Sequence, residues 1–210
     1  MATAGSSANT VVEDPRIERS RRVILEAVLD ELGDGGYGAL TIESVAARAG
    51  VGKSTIYRHW SGKLELVEDA FRTLKAPLEA PAQGTVREKI TALLMQVAVV
   101  VKESIYSACM PALIEAAERD PHMRDFHCRF SAERRNVIVN LLREGVEIGE
   151  LQAGTDPEIL ADALVGPILL RRLMLYESFD PSMVPKLVDQ LLPPLPRPKA
   201  RSHTSRTKTS

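Results

Sequence analysis

Cysteine is scarce in this chain, with only Cys109 and Cys128 in 210 residues. Two thiols cannot staple a fold of this size, and their rarity fits a reducing compartment. Long hydrophobic runs are missing too. The longest apolar stretch without a charge spans Ile90 to Val101, twelve residues, whereas a bilayer needs about 20. The opening MATAGSSANTVVEDPR has no basic segment followed by an apolar run, so no secretory signal is expected. No Ser-His-Asp order, metalloprotease helix or dinucleotide fingerprint occurs, and no enzyme activity or cofactor is expected. His122, His127 and Cys128 are irregularly spaced and no carboxylate pair completes a metal set. A soluble cytoplasmic protein, without membrane or metal, is the expectation.

What is present is ordinary globular material, 44% apolar and 26% charged. The net charge of −1 conceals an asymmetry. Residues 1–75 carry ten Lys/Arg against eleven Asp/Glu, and residues 196–210 carry five against none. Between Ser44 and Leu64 there are four cations (Arg48, Lys53, Arg58, Lys63) and no acid. Such a local positive patch can meet phosphates.

No alternating strand pattern of useful length appears, and the periodicity predicts an all-α fold. Ile24, Leu25, Val28, Leu29 and Leu32 form one helical face, which the glycines from Gly33 to Gly38 are expected to stop. Thr41 is placed to cap a short helix carrying Ile42, Val45, Ala46 and Ala49, and Gly50-Val51-Gly52 forms a turn. A third helix is expected over about 53–60, and a fourth, capped by Ser61, carries Leu64, Val67, Phe71 and Leu74. Past a boundary at Pro77 to Gly84, helices are expected near 86–104, 105–119, 121–147, 156–177 and 183–192. Asp14-Pro15, Asp120-Pro121, Asp156-Pro157 and Asp180-Pro181 each read as a helix start. Pro167 predicts a kink, and Pro185 needs a first-turn position. The domain limits expected are a disordered tail 1–12, a small domain 13–76, a larger one 77–194, and a basic, proline-containing disordered tail 195–210.

The stretch Thr41 to Phe71 admits two sharp readings. Gly52-Lys53-Ser54 resembles the end of a nucleotide-binding phosphate loop, but Ala47 stands where that motif needs glycine and the lead-in is helical. The stronger reading is a helix-turn-helix. Its inward side is Ile42, Val45, Ala46, Ala49, Val51, Ile56 and Trp60, which leaves Lys53, Ser54, Thr55, Tyr57, Arg58 and His59 outward. Lys53 to Thr55 occupy the first turn, the part of a recognition helix that reaches base edges. Thr41 and Lys63, at the starts of neighbouring helices, are candidate clamps on the DNA backbone.

A set of pieces at fixed spacing carries a family resemblance: a first helix from about Ile17, Leu40-Thr41-Ile42, Val45-Ala46, Ala49-Gly50-Val51, Thr55 to Trp60, and Lys63 to Leu66. Over about Ile17 to Phe71 the chain resembles the DNA-binding domain of the tetracycline-repressor (TetR) family of transcriptional regulators. The resemblance implies an all-helical homodimer that binds a palindromic operator and releases it when a small molecule enters the C-terminal domain. It also implies DNA contacts by Thr41, Ser54, Tyr57, His59 and Lys63. Gly52 departs from the Ser or Thr usual in the family, and Trp60 stands where phenylalanine is common.

In the second domain the soft and aromatic residues Met95, Tyr106, Cys109, Met110, Met123, Phe126, His127 and Phe130 are candidates to line an effector pocket, with plain core as the competing role. Leu160, Leu164, Leu173, Leu187, Val188 and Leu191, on the last two long helices, are candidates for a dimer interface. The expected protein is therefore a ligand-responsive, dimeric regulator, with a nucleotide-binding protein or a helical dimeric adaptor as alternatives.

Overall fold

The computed structural model describes residues 15–74 and 78–192; both expected tails lie outside the described residues. Among these residues the chain forms nine α-helices and no strand: α1 Pro15–Ala39, α2 Ile42–Ala49, α3 Lys53–Tyr57, α4 Lys63–Thr73, α5 Val86–Glu103, α6 Ile105–Arg119, α7 Pro121–Glu147, α8 Pro157–Leu173 and α9 Val184–Leu191. A 3₁₀ turn, Pro181–Met183, leads into α9 and leaves Pro185 in that helix's first turn. No single helix among the described residues is long and apolar enough to cross a membrane.

The capping chemistry explains most of the boundaries. Thr41 Oγ1 accepts from the Ser44 amide at 3.0 Å while Ser44 Oγ accepts from the Thr41 amide at 3.1 Å, a reciprocal capping box. Asp120, Asp156 and Asp180 each accept from a first-turn amide beside the proline that follows them. Gly50 closes α2 in the left-handed region at φ 66°, and the Val51 amide returns to the Ala46 carbonyl at 3.0 Å. Thr41→Ala is expected to remove about 1 kcal/mol of stability through loss of the cap, which a urea unfolding curve would read.

The glycine run does break the first helix, at Gly36, whose φ of 75° and ψ of 174° are non-helical; a second short helical piece runs on to Ala39, so α1 is two helices meeting at a kink. Three expected boundaries are corrected. The N-cap of α4 is Gly62 rather than Ser61, whose amide and hydroxyl both donate to Glu65 Oε2 at 2.7 Å. α3 ends at Tyr57 and α8 at Leu173, short of the expected 60 and 177; Pro167 lies inside an unbroken α8.

Two hydrophobic cores result. The first gathers α1 to α4 around Ile24, Leu32, Ile56 and Phe71, and extends into Cys109 and Leu113 of α6 and Phe126 and Phe130 of α7. The second joins α5, α7, α8 and α9 around Ile90, Leu142, Leu164 and Val188. α6 and α7 therefore have two buried sides each, one per core. The small helices are seated on the larger bundle by continuous packing.

Candidate nucleic-acid interface

The helix pair α2–α3 is fastened from beneath. Ile42, Val45 and Ala46 of α2 are buried, and Ile56 (0% exposed) and Trp60 (3%) anchor the segment that follows the turn. The Trp60 indole N–H donates to Asp69 Oδ2 of α4 at 3.0 Å, and the Arg21 guanidinium of α1 donates to the same oxygen at 2.6 Å. One carboxylate thus ties α1, the end of α3 and α4 together. Trp60 is recognisable as core from its spacing, but Asp69 carries no sequence signal; it is one acid among several on α4.

With that underside sealed, the opposite edge of α3 faces water. Lys53, Ser54, Tyr57 and Arg58 are exposed, while Thr55 and His59 are half-buried. Tyr57 is 56% exposed, unusual for a large aromatic ring with no binding role. The His59 ring lies 5.4 Å from that of Trp60. α3 begins at Gly52 with no side-chain cap, as the departure from Ser or Thr implies.

The cations are not equivalent. Lys53 Nζ lies 2.9 Å from Glu43 Oε1, and both side chains are exposed. The hydrogen bond and charge of Lys53 hold the Glu43 carboxyl below its ordinary range and raise Lys53 in return. Glu43 falls one residue before the acid-free window, which is why the local charge count missed this pair. Arg48 turns away onto α1, pairing with Glu31 at 2.6 Å and Asp34 at 2.8 Å. Lys63 donates to the Tyr37 carbonyl and sits 4.0 Å over the Tyr37 ring; burial lowers its ammonium from the usual lysine value. Arg58 makes no ion pair among the described residues. Thr41 is exposed, its hydroxyl oxygen accepting from the Ser44 amide.

Lys53, Ser54, Thr55, Tyr57, Arg58, His59 and Lys63 belong to α3 and α4 or the turn joining them, and Thr41 is the N-cap of α2. An exposed helix with donors, cations and one aromatic along a single edge has the dimensions and chemistry to enter a DNA major groove. The phosphate-loop alternative fails on geometry. Gly50 to Ser54 joins two helices, with no strand leading in, and the Lys53 ammonium is paired with Glu43.

The larger domain holds a mostly apolar cavity of about 330 Å³ among α5, α6, α7 and α8, lined in part by Val97, Val101, Tyr106, Arg134, Ile138 and Val165. Of the eight pocket candidates, Tyr106 alone lines it. Cys109, Met123, Phe126 and Phe130 are sealed in the first core and Met110 in the second. Met95 is half-buried against the second core. His127 is half-buried, its Nδ1 has no hydrogen-bond partner among the described residues, and burial lowers its pKa. The Cys109 thiol, donating to the Leu29 carbonyl at 3.2 Å, is pushed up to about 11 by burial, so it remains protonated packing. Cys109, Met123, Phe126 and Phe130 belong to the core shared with α1 and α4, and Met110 and Met95 pack in or against the other core, so none of these six is left to line the cavity. The apolar cavity residues of α5 and α8, and Arg134, carried no distinguishing signal.

The interface candidates also divide. Leu164 and Val188 are fully buried within the protomer and are corrected to core. Leu160, Leu173, Leu187 and Leu191 are half-buried against the same core. The apolar residues exposed on α8 are Ile159 (68%) and Leu170, continued past its end by Met174 (70%), Leu175 and Tyr176. Ile159, Gly166, Leu170 and Met174 keep helical spacing, so they share one outward stripe.

Comparison with known proteins covers both halves. A family model described as bacterial regulatory proteins, tetR family, matches residues 24–70. A second, described as tetracyclin repressor-like, C-terminal domain, matches residues 80–191. The HTH-type transcriptional regulator YdeS of Bacillus subtilis is 32% identical, over 83% of this chain and 88% of its own. A DNA-binding transcriptional repressor TetR of Mycobacteroides abscessus is 31% identical, over 89% of this chain and 98% of its own. The crystal structure of the TetR family transcription regulator SCO0332 superposes with a TM-score of 0.62 at 31% identity, covering 82% of this chain and 96% of that one.

Proposed function

The chain belongs to the tetR family of bacterial regulatory proteins, helix-turn-helix regulators of transcription, and we propose that it is a ligand-responsive repressor that binds a palindromic operator as a homodimer. The observation that carries this reading is the division of α3: Ile56 and Trp60 sealed beneath, with Lys53, Ser54, Tyr57 and Arg58 open to solvent. In this reading Tyr57, Ser54 and Lys53 reach base edges, while Thr41, Arg58, His59 and Lys63 hold phosphates. Lys53 exchanges Glu43 for the duplex on binding, a small cost because exposed ion pairs are weak. The repressor relative of Mycobacteroides abscessus supports repression over activation.

Residues 13–76 act as the DNA-binding unit and 77–194 as the effector and dimerisation unit of a cytoplasmic protein. The outward stripe of α8, with the half-buried Leu187 and Leu191 of α9, supplies an apolar surface on which a second copy closes a twofold dimer. An effector in the cavity favours an arrangement in which the two α3 helices no longer match successive major grooves. Its differential affinity for the two states is what releases DNA.

Selection of bound fragments from a genomic library tests the reading. The expected product is a palindrome with half-sites about one helical turn or a multiple apart, bound with an affinity that falls steeply with salt. Binding to no fragment, or binding indifferent to salt, would leave a helical dimeric adaptor as the better description.

A further inference from the structure

Arg134 is the feature of the cavity that its apolar lining does not explain. Two arginines line the space, and they are in different situations. Arg135 is committed: it donates to Asp162 at 2.6 Å and 3.0 Å and also to Glu158. That arrangement consumes the acid in the lining, because Asp162 is held in its charged form by the Arg135 hydrogen bond. Arg134 makes no ion pair or hydrogen bond among the described residues. Its guanidinium lies instead over two aromatic rings, 5.2 Å from the Tyr106 centroid and 5.7 Å from that of Phe130.

A guanidinium held over rings, with no hydrogen-bond partner among the described residues, has N–H groups to spare, and its planar fork matches a carboxylate in two parallel hydrogen bonds. The stacking also fixes the side chain beforehand, which lowers the entropy lost when an anion arrives. Tyr106, half-buried beside it, keeps its phenol protonated because burial raises its pKa, so the hydroxyl is available as a further donor. The rest of the wall is mostly aliphatic, with Val97, Val101, Ile138 and Val165, and Ser131 adds one hydroxyl. A volume of about 330 Å³ lies at the small end of ligand pockets and suits a small ligand.

We propose that the cavity selects a small amphipathic monoanion, an apolar body with one carboxylate, whose charged end pairs with Arg134 beside Tyr106. The proposal rests on the reading of the cavity as an effector site and adds the chemical class of the effector. It also places the ligand's charge next to Phe130, whose ring lies 6.0 Å from Phe71 of α4. The anion therefore acts on a side chain already in contact with the small helices.

The test uses the full-length protein and two skeletons with three head groups each, by calorimetric titration at pH 7.5. The probes are decanoate, decanol and decylamine, and 4-phenylbutyrate, 4-phenylbutanol and 4-phenylbutylamine. At least one carboxylate is expected to bind about tenfold or more tightly than its alcohol, with the amine weakest. Arg134→Met keeps the apolar stem and is expected to bring acid and alcohol level. If neither carboxylate outbinds its alcohol, if an amine binds best, or if the preference survives in a folded Arg134→Met, the proposal is overturned. The head-group comparison in the unaltered protein decides the matter even if that variant fails to fold. Operator release measured with the same ligands separates the two levels. Carboxylate binding that depends on Arg134 without release of DNA upholds the ligand class and removes the effector reading.

Discussion

Phe71→Ala is expected to lower the unfolding free energy by about 3–5 kcal/mol, a large part of the stability of a chain this size. Phe71 is completely buried at the point where α4 meets the larger bundle. Its ring lies 6.0 Å from each of Phe126 and Phe130 on α7, and those two rings are 5.7 Å from one another. Truncation removes a ring's worth of transfer free energy and opens a void between side chains that three helices hold in place. Phe71→Leu, closer in volume, is expected to recover most of the loss. Urea unfolding followed by circular dichroism, at one protomer concentration for all variants, measures both. A loss below about 1 kcal/mol in Phe71→Ala would mean that α4 is not packed on α7 through this ring.

Tyr57→Ala is expected to weaken specific operator binding sharply while leaving the protein folded and its oligomeric state unchanged. The ring projects from α3 into solvent and supports no part of either core, so its removal should change stability by no more than about 0.5 kcal/mol. In the proposed complex its loss removes an aromatic and hydroxyl contact to the bases, and discrimination should fall by about 1–3 kcal/mol. Residual binding to any duplex should survive with its salt dependence nearly unchanged, because the proposed phosphate contacts of Thr41, Arg58, His59 and Lys63 are untouched. Fluorescence anisotropy on operator and scrambled DNA at two salt concentrations reads both quantities. Unchanged operator affinity would take Tyr57 out of the interface.

These two variants separate what sequence periodicity can reveal from what it cannot. The helix-turn-helix was legible because its signals are local: Thr41 and Ser44 cap within one turn, Gly50 ends α2, and Ile56 and Trp60 recur one turn apart. The outward edge from Lys53 to His59 follows from the same spacing. Its charge balance was less legible, since Glu43 and Asp69 act across helices on Lys53, Trp60 and Arg21. Glu31 and Asp34 draw Arg48 off the surface patch in the same way. A count along the chain cannot see a partner seventeen residues back.

In the larger domain the helices were legible, but the roles of their faces were not. Met123, Phe126 and Phe130 have the composition of a pocket wall and are core; Arg134, one turn further along α7, looks like a solvated cation and lines the cavity. Leu164 and Ile159 are both apolar residues of α8, and one is buried while the other is exposed. Local spacing and capping determined the all-helical fold, the start of nearly every element and the greasy side of each short helix, because those depend on neighbours within about one turn. Tertiary structure alone decided which of two apolar sides of α6 and α7 meets which core, where a void remains, and which stripe of α8 is left uncovered. Hydrophobicity has no direction, so a periodic pattern says that a face is buried without saying against what.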